Sequence, residues 1–228
     1  DVDIYVFDDP VTKVLTGSAG ISKGADPVEF VSVSNDTAEP MTVNLGIFHY
    51  DRAGGPAPGF IKYIYFDPLT ILDFPTNSST IYGHANATGA GSIAAAIPVL
   101  SASPPEVESF TSLGGTRILF DTDGNPASEY RQSPDFAPAD GHDNTFLGSD
   151  WESNGLPNFF GASAAATSVA GLAALMLGHD STLTPVDIYE ILVTTAVDMH
   201  EEGFDSLTGF GFIDVAAVVR AAGLQEDI

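Results

Sequence analysis

The chain has 228 residues, 44% of them hydrophobic, enough for one large domain or two small ones with a proper core. Its 31 acidic residues stand against 7 lysines and arginines, and the net charge of −24 makes nucleic acid and anionic membranes poor partners. With no cysteine, disulfides, thiolate metal sites and a cysteine nucleophile are excluded.

The first third reads as strands and turns. Residues 1–7 alternate, with Val2, Ile4 and Val6 on one face. Residues 13–16 and 28–33 are shorter candidates. Residues 41–50 alternate again, with Met41, Val43, Leu45 and Ile47 opposite Thr42 and Asn44, and residues 60–66 form an aromatic-rich candidate. Period-2 apolar positions bounded by turn formers are the half-buried strand signature. Turn clusters fall at Asp8-Asp9-Pro10, Asn35-Asp36 and residues 53–59. Several short strands at this spacing predict a small β-sandwich over residues 1–75.

Residues 76–91, rich in Thr, Ser, Gly, Ala and Asn, read as a linker into a second region, 76–228. Residues 92–98 predict a short buried strand. Residues 117–120 and 129–131 flank Asp123-Gly124, a strong hairpin signal. Asp121-Thr122-Asp123-Gly124-Asn125 also mimics the start of a calcium loop, but Gln132 stands near the place of the required bidentate glutamate, so the turn is the better reading.

The most informative stretch is 158–177. Ser163 follows Gly161-Ala162 and opens a run without charge that ends at Leu177. The run predicts a helix buried nearly all round; its Ala, Ser and Gly content speaks for a core helix and against a membrane span. At a helix start the backbone N–H groups are unpaired and the dipole is positive, so an oxyanion forming beside Ser163 would be stabilised. Trp151 lies in the Gly/Ser/Asn-rich loop just before; packing within that loop is preferred to lining a cleft.

A second helix follows Thr184-Pro185-Val186-Asp187, with a cap, a first-turn proline and an acid, and carries Ile188, Ile191, Leu192 and Thr195 at helical spacing. A third starts near Asp214, with Val215, Val218 and Val219, and ends by Gly223.

Gly161-Ala162-Ser163-Ala164-Ala165-Ala166-Thr167-Ser168-Val169-Ala170-Gly171 resembles the subtilisin-like serine peptidase signature Gly-Thr-Ser-x-Ala-x-Pro-His-Val-Ala-Gly. Ala162, Thr167 and Ser168 stand where the signature has Thr, Pro and His. Three further segments are similar to family motifs in the same order. Glu108-Ser109-Phe110-Thr111-Ser112-Leu113-Gly114 resembles Ser-Phe-Ser-Ser-x-Gly. Residues 134–141, from Pro134-Asp135 to Asp140-Gly141, resemble Pro-Asp-x-x-Ala-Pro-Gly with two extra residues. Thr208-Gly209-Phe210-Gly211-Phe212-Ile213-Asp214 resembles Gly-x-Gly-x-x-Asn/Asp. Asp1-Val2-Asp3-Ile4-Tyr5-Val6 resembles the opening of a β-rich insertion that some bacterial members carry.

The resemblance implies an α/β fold, the C-terminal half of a subtilisin-like three-layer parallel-sheet domain preceded by a small β-sandwich insertion. It implies Ser163 as the nucleophile of a secreted or envelope-associated endopeptidase, a polypeptide substrate, no organic cofactor and no metal ligand placed here, calcium being plausible in the parent enzyme. The family's Asp-Ser/Thr-Gly, His-Gly-Thr-x-Val and oxyanion-asparagine motifs do not occur; none of His49, His84, His142, His179 and His200 precedes Gly-Thr. The expectation is therefore a fragment whose partner is the missing N-terminal part of the same domain, inactive alone, since an unassisted serine hydroxyl is a poor nucleophile. A non-catalytic relative serving binding or scaffolding is the alternative.

Overall fold

In the computed structural model, residues 1–21, 26–50, 57–66, 69–97 and 105–224 are described. The chain divides into two compact units, Asp1–Tyr63 and Ile64–Ile228.

In the first unit β1 (Val2–Asp8) is the central strand of an antiparallel sheet of order β2-β1-β3, with β2 at Val14–Ser18 and β3 at Val43–His49. The register pairs Ile4 with Ile47 and Val6 with Leu45, so the apolar sets of the two strands share one face. The other face carries Tyr5, Phe7 and Phe48, with Tyr5 edge-on to Phe48 at 5.6 Å.

Two sequence expectations differ from the structure here. Residues 28–33 and 60–66 form no strand, and the described residues of this unit make one sheet, not two packed sheets. Alternation specifies a face, but a strand exists only where a partner supplies ladder bonds, and among the described residues no ladder forms on either segment. Most of the turn cluster at 53–59 lies outside the described residues.

The second unit mixes helices with small strand pairs. Segments around residues 93–96 and 136–139 run parallel, joined at Ile93–Phe136 and Ala96–Ala139, in place of a continuous buried strand. β4 (Thr116–Phe120) and β5 (Pro126–Arg131) form the predicted hairpin around Asp123-Gly124. β6 (His142–Asp143) pairs with β7 (Asn158–Phe159) and leads into α1 (Ala162–His179); α2 is Pro185–Thr195 and α3 is Val215–Ala221. Among the described residues no wider parallel sheet forms; such a sheet needs several crossover units, and one parallel pair is present.

The core joins Phe136 to Leu172 and Met176 of α1, Leu192 of α2, and Ile213 and Val218 at α3. On α1, Ala165, Val169, Leu172 and Met176 recur at three- and four-residue spacing and make one inward stripe. The helix is not buried all round, as its composition suggested: Leu175 is 61% exposed. The helices and strands described here cover one side of it only. α1 is the one described helix whose length and apolarity would suffice to cross a membrane.

Candidate active site

α1 begins at a glycine that no other residue could replace without strain. Gly161, its N-cap, has φ 117° and ψ 161°, a region closed to L side chains. The Gly161 carbonyl accepts from the N–H groups of Ala164 and Ala165 at 2.9 and 3.1 Å. Among the described residues no acceptor meets the N–H of Ala162 or Ser163. Ser163 is the second helical residue, and its side chain is exposed. A hydroxyl and free amides thus share the positive end of an 18-residue helix.

The residues standing in place of the signature's Pro and His are absorbed by the helix. Thr167 donates to the Ala164 carbonyl at 2.7 Å and Ser168 to the same oxygen at 3.3 Å. These are the back-bonds that serine and threonine make within a helix.

The other family-like motifs meet around residues 133–140. Asp135 is the hub: its carboxylate accepts from the Ser92 N–H and the Tyr189 hydroxyl, each at 2.6 Å, and its carbonyl accepts from the Phe210 N–H at 2.7 Å. Burial, and then the bond to Asp135, push the Tyr189 hydroxyl well above its ordinary pKa. Gly114 and Gly209 are required by close approach, because a Cβ would overlap the Ser133 carbonyl from one and the Asp135 carbonyl from the other. Thr111 bonds the backbone of Ala95, and Asp214 caps α3 by accepting from the Ala217 N–H at 3.1 Å.

Two site residues escaped the sequence reading. Asp140 is completely buried, and its Oδ2 accepts from the Gly161 N–H at 2.5 Å. Burial, then the nearby Asp140 carboxylate, raise Glu108 above the usual carboxylate range. Asn158, also buried, accepts from the Trp151 N–H at 2.9 Å and donates to the Gly141 carbonyl and the Asp143 carboxylate. It ties the loop between β6 and β7 to the strand that delivers Gly161. The sequence signal was Asp140 beside the motif glycine Gly141; Asn158, three residues before Gly161, carried none of its own.

Trp151 is not packed in its loop: it is 78% exposed, touching Phe160 edge-on at 5.6 Å. The two rings border an open hollow of about 550 Å³ that reaches Leu147 and Phe159. The loop is held instead by polar side chains: Asn144, Asp150 and Asn158 accept from its backbone N–H groups.

The histidines stand on separate segments. His142 lies in β6 opposite Phe159, His179 ends α1, His84 sits in a short 3-10 helix, His49 ends β3, and His200 is 4.0 Å from Asp205. Among the described residues no three metal-binding side chains converge. The Asp121 carboxylate is taken by the turn itself, accepting from the N–H groups of Asp123 and Asn125 and from the Asn125 amide.

Residues 73–211, more than half the chain, match the model of the Subtilase family. The chain belongs to the subtilase family. Among solved structures, this subtilase is similar to fervidolysin from Fervidobacterium pennivorans, a keratinolytic enzyme related to subtilisin. The identity is 22% over 60% of this chain and 20% of that one, with a TM-score of 0.40. It is also similar to MycP1 from Mycobacterium smegmatis, at 29% identity over 42% of this chain and 27% of that one, TM-score 0.30. A further MycP1 structure, described as a serine protease and essential component of the type VII (ESX-1) secretion system, is 36% identical. That match covers 29% of this chain and 18% of the other, with a TM-score of 0.25. The chain thus spans less than a third of each of these relatives. No curated protein matches the sequence.

Proposed function

We propose that this subtilase is part of a serine endopeptidase in which Ser163 is the nucleophile. The observation that carries the reading is the placement of its exposed hydroxyl at the head of α1, beside its own unpaired N–H. In the complete enzyme the Ser163 oxygen attacks a peptide carbonyl carbon while a histidine takes the hydroxyl proton. The carbonyl electrons move onto oxygen, where the Ser163 N–H supplies one oxyanion donor. Collapse breaks the C–N bond, the amine leaves with the histidine's proton, and water hydrolyses the resulting ester.

The aspartate, the histidine and the asparagine that shares the oxyanion site come, in this reading, from the N-terminal part of the same domain. This segment is then the C-terminal half of the three-layer fold, with residues 76–228 carrying the nucleophile helix and 1–75 a β-rich insertion. The substrate is a polypeptide, and the hollow at Trp151 and Phe160 is a wall for one of its side chains. The strongly acidic composition supports a solvated surface with no nucleic-acid partner, and the family relation supports an extracellular or cell-envelope location without membrane insertion. The reading requires no organic cofactor, and calcium belongs to the parent enzyme if anywhere.

Alone, the chain lacks the base, and loss of triad members lowers turnover by about 10⁴- to 10⁶-fold. The second reading, a non-catalytic relative acting as a binding or scaffolding module, is favoured by one observation: Ala162, Thr167 and Ser168 stand where the signature has Thr, Pro and His. A fluorophosphonate probe on the full-length protein separates the two. Covalent labelling that disappears in Ser163→Ala supports the peptidase; a folded full-length protein that takes no label supports the module.

A further inference from the structure

We infer that Asp140 is a positioning residue for the nucleophile turn: its buried carboxylate holds the Gly161 amide, and through it the start of α1 and the side chain of Ser163. The carboxylate is wholly inside the protein. Its Oδ2 takes the Gly161 N–H at 2.5 Å, and its Oδ1 is buried with no hydrogen-bond partner among the described residues. Burying a carboxylate with one oxygen unsatisfied is unfavourable, so the group that gains from the other oxygen must matter to the fold or the site.

Its backbone shows what it connects. The Asp140 N–H donates to the Ala96 carbonyl at 3.1 Å, beside the parallel Ala96–Ala139 pair, and the Gly141 N–H donates to the Phe159 carbonyl at 2.9 Å. Residue 140 therefore stands where the parallel pair meets the β6–β7 ladder that delivers Gly161. Gly161 has no side chain with which to cap α1, and its φ of 117° lies in a region that glycine enters and leaves freely. The carboxylate removes that freedom. Two residues on, any rotation of Gly161 is carried by the helix to the Ser163 oxygen.

Charge is not the property that selects this residue. A negative group beside the place where an oxyanion forms opposes it, although the helix dipole offsets part of that effect. What the turn needs is an acceptor at this reach. Asparagine keeps one and alanine does not.

The hold on Gly161 is independent of the peptidase reading; its consequence for Ser163 rests on it. The experiment compares the full-length protein with Asp140→Asn and Asp140→Ala in fluorophosphonate labelling, peptide hydrolysis and residue-resolved hydrogen exchange. Asp140→Ala is expected to slow labelling and kcat on the order of 10²-fold, the effect of a misplaced reacting group, with KM unchanged. Gly161 exchange should accelerate while the buried Leu192 in α2 keeps its protection. Asp140→Asn should regain most of the rate and the slow Gly161 exchange. A parental rate and parental Gly161 exchange in Asp140→Ala, or an Asp140→Asn that is folded and as slow as Asp140→Ala, overturns the inference. If Asp140→Ala loses protection at Leu192 it has unfolded, and Asp140→Asn decides. If the unsubstituted protein takes no label, the peptidase reading fails and Gly161 exchange in the variants alone decides.

Discussion

The two units hold together by different means. In Asp1–Tyr63, Val6 is the one hydrophobic side chain in the core among the described residues. Leu45, Ile47 and Phe48 of the neighbouring strand stay exposed, and the unit rests on ladder bonds and cross-strand pairs. In Ile64–Ile228, Phe136, Met176 and Val218 are almost completely buried, and polar side chains at Asp135, Asp140 and Asn158 tie loops to that core. A regular pattern on the surface and a packed interior are separate properties of a sequence. The site belongs to the second kind, because a nucleophile needs fixed surroundings more than it needs regular strands.

The largest expected effect tests function inside the packed unit. In the full-length protein, Ser163→Ala should lower peptide hydrolysis by about 10⁴- to 10⁶-fold, as loss of a nucleophile does. Its thermal unfolding midpoint should stay at the parental value, because the side chain is exposed and makes no hydrogen bond to the described residues. Retained turnover would remove Ser163 from the chemistry; a lowered midpoint would make it a structural residue.

The next effect addresses the contrast directly. Met176→Ala removes a side chain with no exposure at the centre of the helical core and should cost about 2–5 kcal/mol. Val6→Ala, in the sheet unit, should cost about 1–2 kcal/mol from the two lost carbon groups. Denaturant unfolding followed by hydrogen exchange in each unit is the measurement, since two units need not unfold as one. Equal costs, or loss of protection in both units from either change, would erase the distinction between the units.

How much was legible follows the same division. The β1 and β3 faces, the hairpin at Asp123-Gly124, the cap at Thr184 and the helix start near Asp214 follow from local pattern and local hydrogen bonding, and they stand where the sequence put them. The strands expected at 28–33 and 60–66 depend on a distant partner, which alternation cannot supply. The helix at Ser163 was legible from composition, but its exposed face was not, because a run of alanine and leucine does not record what lies against it. Asp140 and Asn158 act by reaching across 21 and 15 residues, to Gly161 and Asp143, and no local rule marks such a reach. The glycines of the family-like motifs hinted at it: Gly114 and Gly209 abut the 133–135 segment from both directions.

The smallest expected effect sharpens the local side of the contrast. At the start of α2 the Thr184 oxygen accepts from the Asp187 N–H at 3.3 Å. The Asp187 carboxylate accepts from the Thr184 N–H at 2.7 Å and its hydroxyl at 2.6 Å. Thr184→Ala should cost about 1 kcal/mol at neutral pH, the value of a lost cap. The bonds from the Thr184 side chain, and then from its backbone, hold Asp187 below the usual aspartate pKa. A depressed carboxylate adds stability above its unfolded pKa and loses it as pH falls through the folded one. The variant keeps only the backbone bond, so its Asp187 is depressed less. The stability gap between parent and variant should therefore be widest near neutrality and narrow as pH drops below the ordinary aspartate range, about 4. Urea midpoints of both proteins across that range measure it, and a gap that does not change with pH would show that the cap acts without Asp187.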